Sequence, residues 1–399
     1  MTSALAPASW RLLALLAISA SIRPVIASVP PLSLDIQASL GFNDATIGAL
    51  TTIPTVCMAI FALVIPRLVR RHGIGWLTVG GLAAITIALA LRWWSSSWGG
   101  VLFLTALLAG VGIAVGAGVT PSFVREWFPE RVMRVSSYTT ATFMAGAAIA
   151  AAVTVPLAQW WGSWPAALTV WAIPAFLATV AWAVVALRRR ESADRSEFVM
   201  RLPWRSRTAW FLAAFLAVNS VAFYILLAWM APSYDERGWT QAEGGYLFGF
   251  FSLLQVVGAI AIPRITSRLA DRRPLFIVLV LISTGVVLLM GVAPEWMTWP
   301  VVAVAGIGLG GVFSVGMALL PELATDAHDA AGLTAMALFV AYAAAAVGPL
   351  AIGALLDAGV TWTSVFAIAA VFTLAQLVGL GPLQRARAGR GSRAPLGSG

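Results

Sequence analysis

Twelve apolar stretches, each about twenty residues long, follow one another along the chain. A bilayer core about 30 Å thick needs roughly 20 apolar residues per helix. Runs that meet this ruler fall at 10–32, 45–66, 75–94, 99–122, 135–158, 164–187, 208–231, 243–264, 274–293, 297–320, 331–356 and 361–382. The segments between them are short, except for a polar, basic one at 188–207. The pattern predicts an all-α integral membrane protein. Its expected parts are an N-terminal six-helix bundle (1–187), a cytoplasmic linker (188–207), a C-terminal six-helix bundle (208–383) and a basic cytoplasmic tail (384–399). The first span lacks a basic segment before it and the short apolar run with an Ala-x-Ala site that marks a cleaved signal. It reads as a retained span.

Composition agrees with the pattern. The 399 residues are 60% hydrophobic and 10% charged, with a mean hydropathy of +0.90. Soluble domains average roughly 45–50% apolar and about 25% charged. A soluble enzyme, a disordered chain and a nucleic-acid-binding domain are therefore poor fits. The net charge of +9 would suggest nucleic acid only if the cations were clustered for it.

They are placed otherwise. Every one of the 25 cations is arginine. With both termini cytoplasmic, one side carries Arg11, Arg67, Arg70, Arg71, Arg125, Arg131, Arg134, seven arginines within 188–207, Arg264, Arg268, Arg272, Arg273 and four in the tail, 22 in all. The opposite side carries Arg92 and Arg237. Such asymmetry is the positive-inside signal, and it accounts for the basicity without nucleic acid. Trp93, Trp94, Trp98, Trp160, Trp161, Trp296 and Trp299 fall near the outer interface, as an aromatic belt does. Cys57 is the sole cysteine and excludes an intrachain disulfide. His72 and His328 lack metal-ligand spacing, and no cofactor is expected.

The two halves repeat at an offset of about 197 residues. Ile65-Pro66-Arg67-Leu68 matches Ile262-Pro263-Arg264-Ile265, and Ala109-Gly110-Val111-Gly112 matches Ala305-Gly306-Ile307-Gly308. Parallel six-helix repeats joined by a long segment resemble the major facilitator superfamily, whose solute site lies at the repeat interface near the midplane. The stretch Pro66-Arg67-Leu68-Val69-Arg70-Arg71-His72-Gly73 resembles that superfamily's signature G-x-L-x-D-R-x-G-R-R, with arginine at the Asp position. Arg67, Arg70 and Arg264 are thus gating candidates. The competing reading makes them positive-inside loops beside helix-stopping residues.

Arg23 is the one arginine within a span interior. It lies about 20 Å along the helix from Trp10 at about 1.5 Å per residue. A charge at that depth is costly and marks a pathway or a pairing. The acids all fall at span ends or in loops. Snorkelling to the outer interface competes with a cavity-facing position, which Ser19, four residues earlier on the same face, favours. A planar guanidinium fork suits carboxylate-like or linear anions. Its repeat counterpart is Ser220, next to Asn219, and Tyr224 shares the face of Ser220. The expected site has Arg23 facing Asn219, Ser220 and Tyr224. Interhelical hydrogen bonding is the alternative for Asn219 and Ser220. Thr51, Tyr138, Gln255 and Tyr342 are weaker candidates, since Thr hydroxyls in helices often bond back to their own backbone. The glycine-rich stretches around Gly112 and Gly308 predict close helix contacts.

Together these residues resemble one branch of the superfamily, the cyanate and 2-nitroimidazole transporter family. The likeness rests on Arg23-Pro24 with Pro31-Leu32, Leu50-Thr51-Thr52-Ile53-Pro54, Phe128-Pro129-x-Arg131, Tyr138-Thr139-Thr140, Val155-Pro156-Leu157-Ala158, Ala209-Trp210, Ser220-x-x-Phe223-Tyr224, Ala228-Trp229-x-x-Pro232, Asp271-Arg272-Arg273-Pro274-Leu275 and Gly348-Pro349-Leu350. It implies a secondary or facilitative transporter of small anions or small polar heterocycles in the cytoplasmic membrane. Arg23 and Tyr224 match the branch-typical Arg and Tyr. Span 11 departs from the branch: Leu338-Phe339-Val340-Ala341-Tyr342 stands where Gln-x-x-Gly-Tyr is usual. That points to a more apolar ligand. A proton-coupled drug antiporter is the competing transporter reading, opposed by the lack of an acid within a span. A membrane-embedded enzyme or sensor would need a catalytic constellation or an appended domain. The expected partners are a small solute and the lipid bilayer, without nucleic acid, for a monomeric protein that is not an enzyme.

Overall fold

The structure is a computed structural model that describes residues 8–188, 202–269, 271–324 and 327–381. The tail 384–399 and most of the linker 188–207 lie outside the described residues. Among those described, all regular structure is helical. Twelve helices are long and apolar enough to cross a membrane. They are α1 (Ala8–Leu40), α2 (Asp44–His72), α3 (Ile74–Trp94), α4 (Gly100–Trp127), α5 (Arg134–Trp161), α6 (Trp164–Arg188), α7 (Arg207–Asp235), α8 (Gln241–Ser267), α9 (Arg273–Met290), α10 (Glu295–Leu323), α11 (Asp329–Asp357) and α12 (Trp362–Gly379). Each falls on one of the twelve expected spans. Helices satisfy their own backbone groups, which lipid cannot do.

Local sequence sets the helix ends. Asn43 caps α2 by accepting from Thr46 N at 3.0 Å. Thr240 and Glu243 form a reciprocal capping box at α8. Thr240 N donates to the Glu243 carboxylate at 2.8 Å, and Glu243 N donates to the Thr240 hydroxyl at 3.3 Å. Gly41 ends α1 with φ of 67°, a left-handed turn that suits glycine.

Packing divides the chain into two units. Unit 1 joins the described residues up to 188 with Tyr224–Leu253 and Ala346–Val360. Unit 2 holds the described residues from 202 to 223, Leu254–Ala345 and the described residues from Thr361 onward. Helices α7, α8 and α11 each contribute one stretch to either unit.

The same contact recurs within each unit. Gly112 of α4 lies against the Gly81 carbonyl and Ile85 of α3, with no room for a side chain. In unit 2, Gly308 of α10 lies against Ser283 of α9. Small residues here let helices approach without a solvent-driven hydrophobic force. The core of unit 1 includes an aromatic stack: Trp182 of α6 lies parallel to Trp127 of α4, centroids 5.4 Å apart, with Phe123 beside both. The core of unit 2 gathers Leu212, Phe215, Leu216, Phe276, Val312 and Met336. The seven tryptophans of the expected belt are all exposed, by 40 to 79%.

Candidate functional site

Helix α1 is discontinuous. It runs over Ala8–Ile22, stops at Arg23, resumes at Pro24–Ala27, turns through Pro30–Leu32 and finishes as Ser33–Leu40. Pro24 has no backbone N–H, so the Ala20 carbonyl loses its helical donor. Arg23 opens the next turn, its carbonyl accepting from Ile26 N at 3.1 Å and Ala27 N at 3.0 Å. The sequence thus places its mid-span cation at the break itself.

Helix α5 closes on this break. A Cβ on Gly146 would stand 2.7 Å from the Ala20 oxygen, so only glycine permits the approach. Phe143 lies about one turn earlier on α5. Its ring centroid is 4.4 Å from the Arg23 guanidinium carbon, a cation–π contact. The guanidinium is therefore supported on an aromatic face.

Tyr224 contributes the second donor from the α7 stretch of unit 1. It is 2% exposed. Its hydroxyl donates to Met58 Sδ at 3.6 Å, and its side chain lies near Thr55 and within electrostatic reach of Arg23. Thr55 in turn donates to the Thr51 carbonyl at 2.8 Å. Arg23, Phe143, Tyr224, Thr55 and Met58 thus form one neighbourhood within unit 1. A guanidinium offers only donors and a phenol offers one. Such a group suits an anion or an electron-rich acceptor.

The structure sorts the expected residues. Arg23 and Tyr224 come together, with Thr51 joined to them through its carbonyl. Ser19, expected to extend a polar stripe, instead satisfies itself by donating to the Leu15 carbonyl at 3.0 Å. Tyr138 is 48% exposed near the start of α5. Asn219, Ser220 and Gln255 are buried in unit 2, where Asn219 Nδ2 donates to the Leu309 carbonyl at 3.5 Å. Tyr342 is half-buried in the unit 2 part of α11. Arg67, Arg70 and Arg264 are exposed, and Arg264 Nη1 donates to the Ile260 carbonyl at 3.0 Å.

Sequence reasoning missed Phe143, Thr55 and Met58. The available signals were positional: Thr55 is one turn from Thr51, and Phe143 is one turn from the glycine that meets the break. No group of three or more His, Cys, Asp or Glu suited to a metal occurs among the described residues.

Twelve spans with a guanidinium at a broken helix are the construction of a membrane transporter. Residues 12–346 and 238–396 match the Major Facilitator Superfamily, and the chain belongs to that family. It is 30% identical over 368 residues to the uncharacterized transporter YycB of Bacillus subtilis (strain 168), covering 89% of this chain and 88% of that one. It is 29% identical over 353 residues to the 2-nitroimidazole transporter of Escherichia coli (strain K12), covering 88% of each. It is 28% identical over 341 residues to the cyanate transport protein CynX of the same organism, covering 85% of this chain and 88% of that one. Among solved structures, the nucleoside transporter NupG shares the fold with a TM-score of 0.74 at 13% identity, over 94% of this chain and 99% of that one. The protein is a multi-pass membrane transporter of a small solute, related to nitroimidazole and cyanate transporters.

Proposed function

We propose that the chain moves a small anionic or electron-rich polar organic solute across the cytoplasmic membrane by alternating access, with Arg23 as its principal solute-binding group. The observation that carries this reading is the Arg23 guanidinium on the Phe143 ring, 4.4 Å away, at the break in α1. A donor fork held at mid-span on an apolar face recognises an acceptor by charge-assisted hydrogen bonds. Tyr224 adds a second donor beside it. The two relatives named for 2-nitroimidazole and cyanate support solutes of this kind: a nitro group and a cyanate are both electron-rich and compact.

In this reading both termini are cytoplasmic, in keeping with the arginine asymmetry. The halves 1–187 and 208–383, linked by 188–207, rock about the site. Arg67, Arg70 and Arg264 serve the cytoplasmic gate. The protein acts as a monomer, by transport and not by catalysis, without nucleic acid.

The test is uptake of 2-nitroimidazole and of cyanate into proteoliposomes. Arg23→Gln abolishes uptake of whichever probe the wild type carries, while Arg23→Lys retains part of it because the charge stays and the fork is lost. Unchanged uptake by Arg23→Gln refutes the assignment.

A further inference from the structure

Helix α2 turns two successive sulfur atoms towards two different neighbours. Cys57 faces α4, its Sγ donating to the Leu107 carbonyl at 3.8 Å. Met58, one step of about 100° further round the helix, accepts the Tyr224 hydroxyl at 3.6 Å. Thr51, Thr55 and Met58 stand at i, i+4 and i+7, one face of α2. Met58 and Tyr224 are 4% and 2% exposed. Both belong to unit 1, as do Arg23 and Phe143.

A thioether is a poor acceptor for a buried phenol. Other hydroxyls in the spans of unit 1 donate to carbonyls: Ser21 to Ala17 at 2.8 Å, Thr55 to Thr51 at 2.8 Å and Thr78 to Ile74 at 2.7 Å. Serine and threonine reach their own backbone in this way. A tyrosine hydroxyl sits at the far end of its ring and depends on what neighbouring helices offer. Sulfur accepts weakly. Methionine is also unbranched, with three rotatable bonds, so it swings aside at little cost. The contact places the Tyr224 hydroxyl without holding it firmly.

We infer that Met58 is a placeholder: its Sδ takes the Tyr224 hydroxyl and yields it to an oxygen or nitrogen acceptor of the solute. This rests on the solute-binding reading given above and deepens it. The carried solute then presents two acceptors, one to the Arg23 fork and one to the phenol. Met58 sets the affinity for it, because the bond to sulfur must break before the bond to solute forms. A stronger acceptor at position 58 competes with the solute, and an apolar side chain there does not.

The test uses the full chain in proteoliposomes, with 2-nitroimidazole and cyanate as probes. Met58→Leu keeps the bulk and removes the acceptor; KM for the carried probe falls by about threefold. Met58→Gln supplies a strong acceptor; KM rises by about threefold to tenfold, the span of one exchanged hydrogen bond. The maximal rate stays near that of the wild type in both, as for a change in ground-state binding. The same two substitutions are then made in Tyr224→Phe. Without the hydroxyl neither changes KM further, which a packing role for Met58 does not predict. Thermal midpoints establish that the variants fold, and Met58→Leu decides alone if Met58→Gln does not.

Two results overturn the inference: a KM that does not fall in Met58→Leu, or shifts that persist in the Tyr224→Phe background. Both are read on a preparation in which Arg23→Gln abolishes uptake, so the parent reading stands while this one fails. Absence of uptake of either probe by the wild type, or indifference to Arg23→Gln, overturns the parent reading and this inference with it.

Discussion

The carboxylate of Asp357, the last residue of α11, accepts hydrogen bonds from the backbone N–H groups of Asp44 and Ala45, the first two of α2, at 2.9 Å each. Asn43 takes the next free N–H, that of Thr46. The orphan donors at this helix start are thus met by two side chains, one of them more than 300 residues away in sequence. A carboxylate at a helix N-terminus also meets the positive end of the helix dipole. Other bonds inside unit 1 join the same two helices along their length. Thr52 Oγ1 donates to the Ala346 carbonyl at 2.7 Å, and the glycine at position 48 abuts the Pro349 carbonyl.

Asp357→Ala therefore frays the start of α2. Loss of a cap of this kind costs about 1 kcal/mol, or about a fivefold faster local opening. Hydrogen–deuterium exchange of the peptide spanning 40–50 reads this directly. Asp357→Asn retains one acceptor and falls between the two. Exchange unchanged in both variants means that the contact does not hold the helix.

Much of this was legible in the sequence, for physical reasons that also explain the gaps. The spans followed from length and apolarity, because a bilayer leaves few alternatives. Arg23 stood out because a charge in a span is rare, and the repeat offset led from it to Ser220 and on to Tyr224. Phe143 and Thr55 were hidden because an apolar ring or a hydroxyl in a span looks like any lipid-facing or self-bonded residue. The place of Phe143 beside Arg23 arises only from packing against a helix break. Asp357 looked like an ordinary span-end acid, and nothing local connects it with Asp44. Arg92 counted as an interfacial charge by its position at the end of α3, yet its side chain turns inward.

The Phe143 ring contacts the Arg23 guanidinium and Tyr224 lies within its electrostatic reach, and variants separate the two. Phe143→Leu keeps an apolar wall and removes the ring face. A cation–π contact of this kind is worth about 0.5–2 kcal/mol, so solute affinity falls by about twofold to thirtyfold as the guanidinium loses its support. Tyr224→Phe keeps the packing and removes one donor. Its KM for the carried probe rises by roughly tenfold if the phenol bonds the solute. An unaltered KM in Tyr224→Phe confines the hydroxyl to its Met58 and Thr55 contacts. Initial uptake rates across a concentration series provide both values.

Trp182 anchors α6 to the rest of unit 1. It is fully buried, stacks on Trp127, and its indole N–H donates to the Ala14 carbonyl of α1 at 2.8 Å. Trp182→Ala opens a cavity and leaves that carbonyl unmet, at about 3–5 kcal/mol. Trp182→Phe loses the hydrogen bond but fills most of the space, and costs less. Thermal unfolding of the detergent-purified protein should rank wild type above Phe and Phe above Ala. Transport rates per folded molecule should stay unchanged, because none of these contacts touches Arg23 or Tyr224.

Arg92 gives the opposite expectation, a substitution that stabilises. It opens the tight turn Arg92–Trp94 at the end of α3. Three residues per turn send successive side chains in three directions: Trp93 and Trp94 are each 56% exposed, while Arg92 is 3% exposed. Its Nε and Nη1 atoms are buried without hydrogen-bond partners among the described residues. A charge held this way pays a desolvation penalty that no ion pair offsets. Methionine has nearly the same length and no charge, so Arg92→Met keeps the packing of the stem and removes the penalty. The thermal midpoint should rise in Arg92→Met. A fall of several degrees would show instead that the guanidinium holds a partner which the chain does not supply. Repeating the melt after exhaustive delipidation and in phosphate-free buffer would then tell a phospholipid headgroup from a free anion.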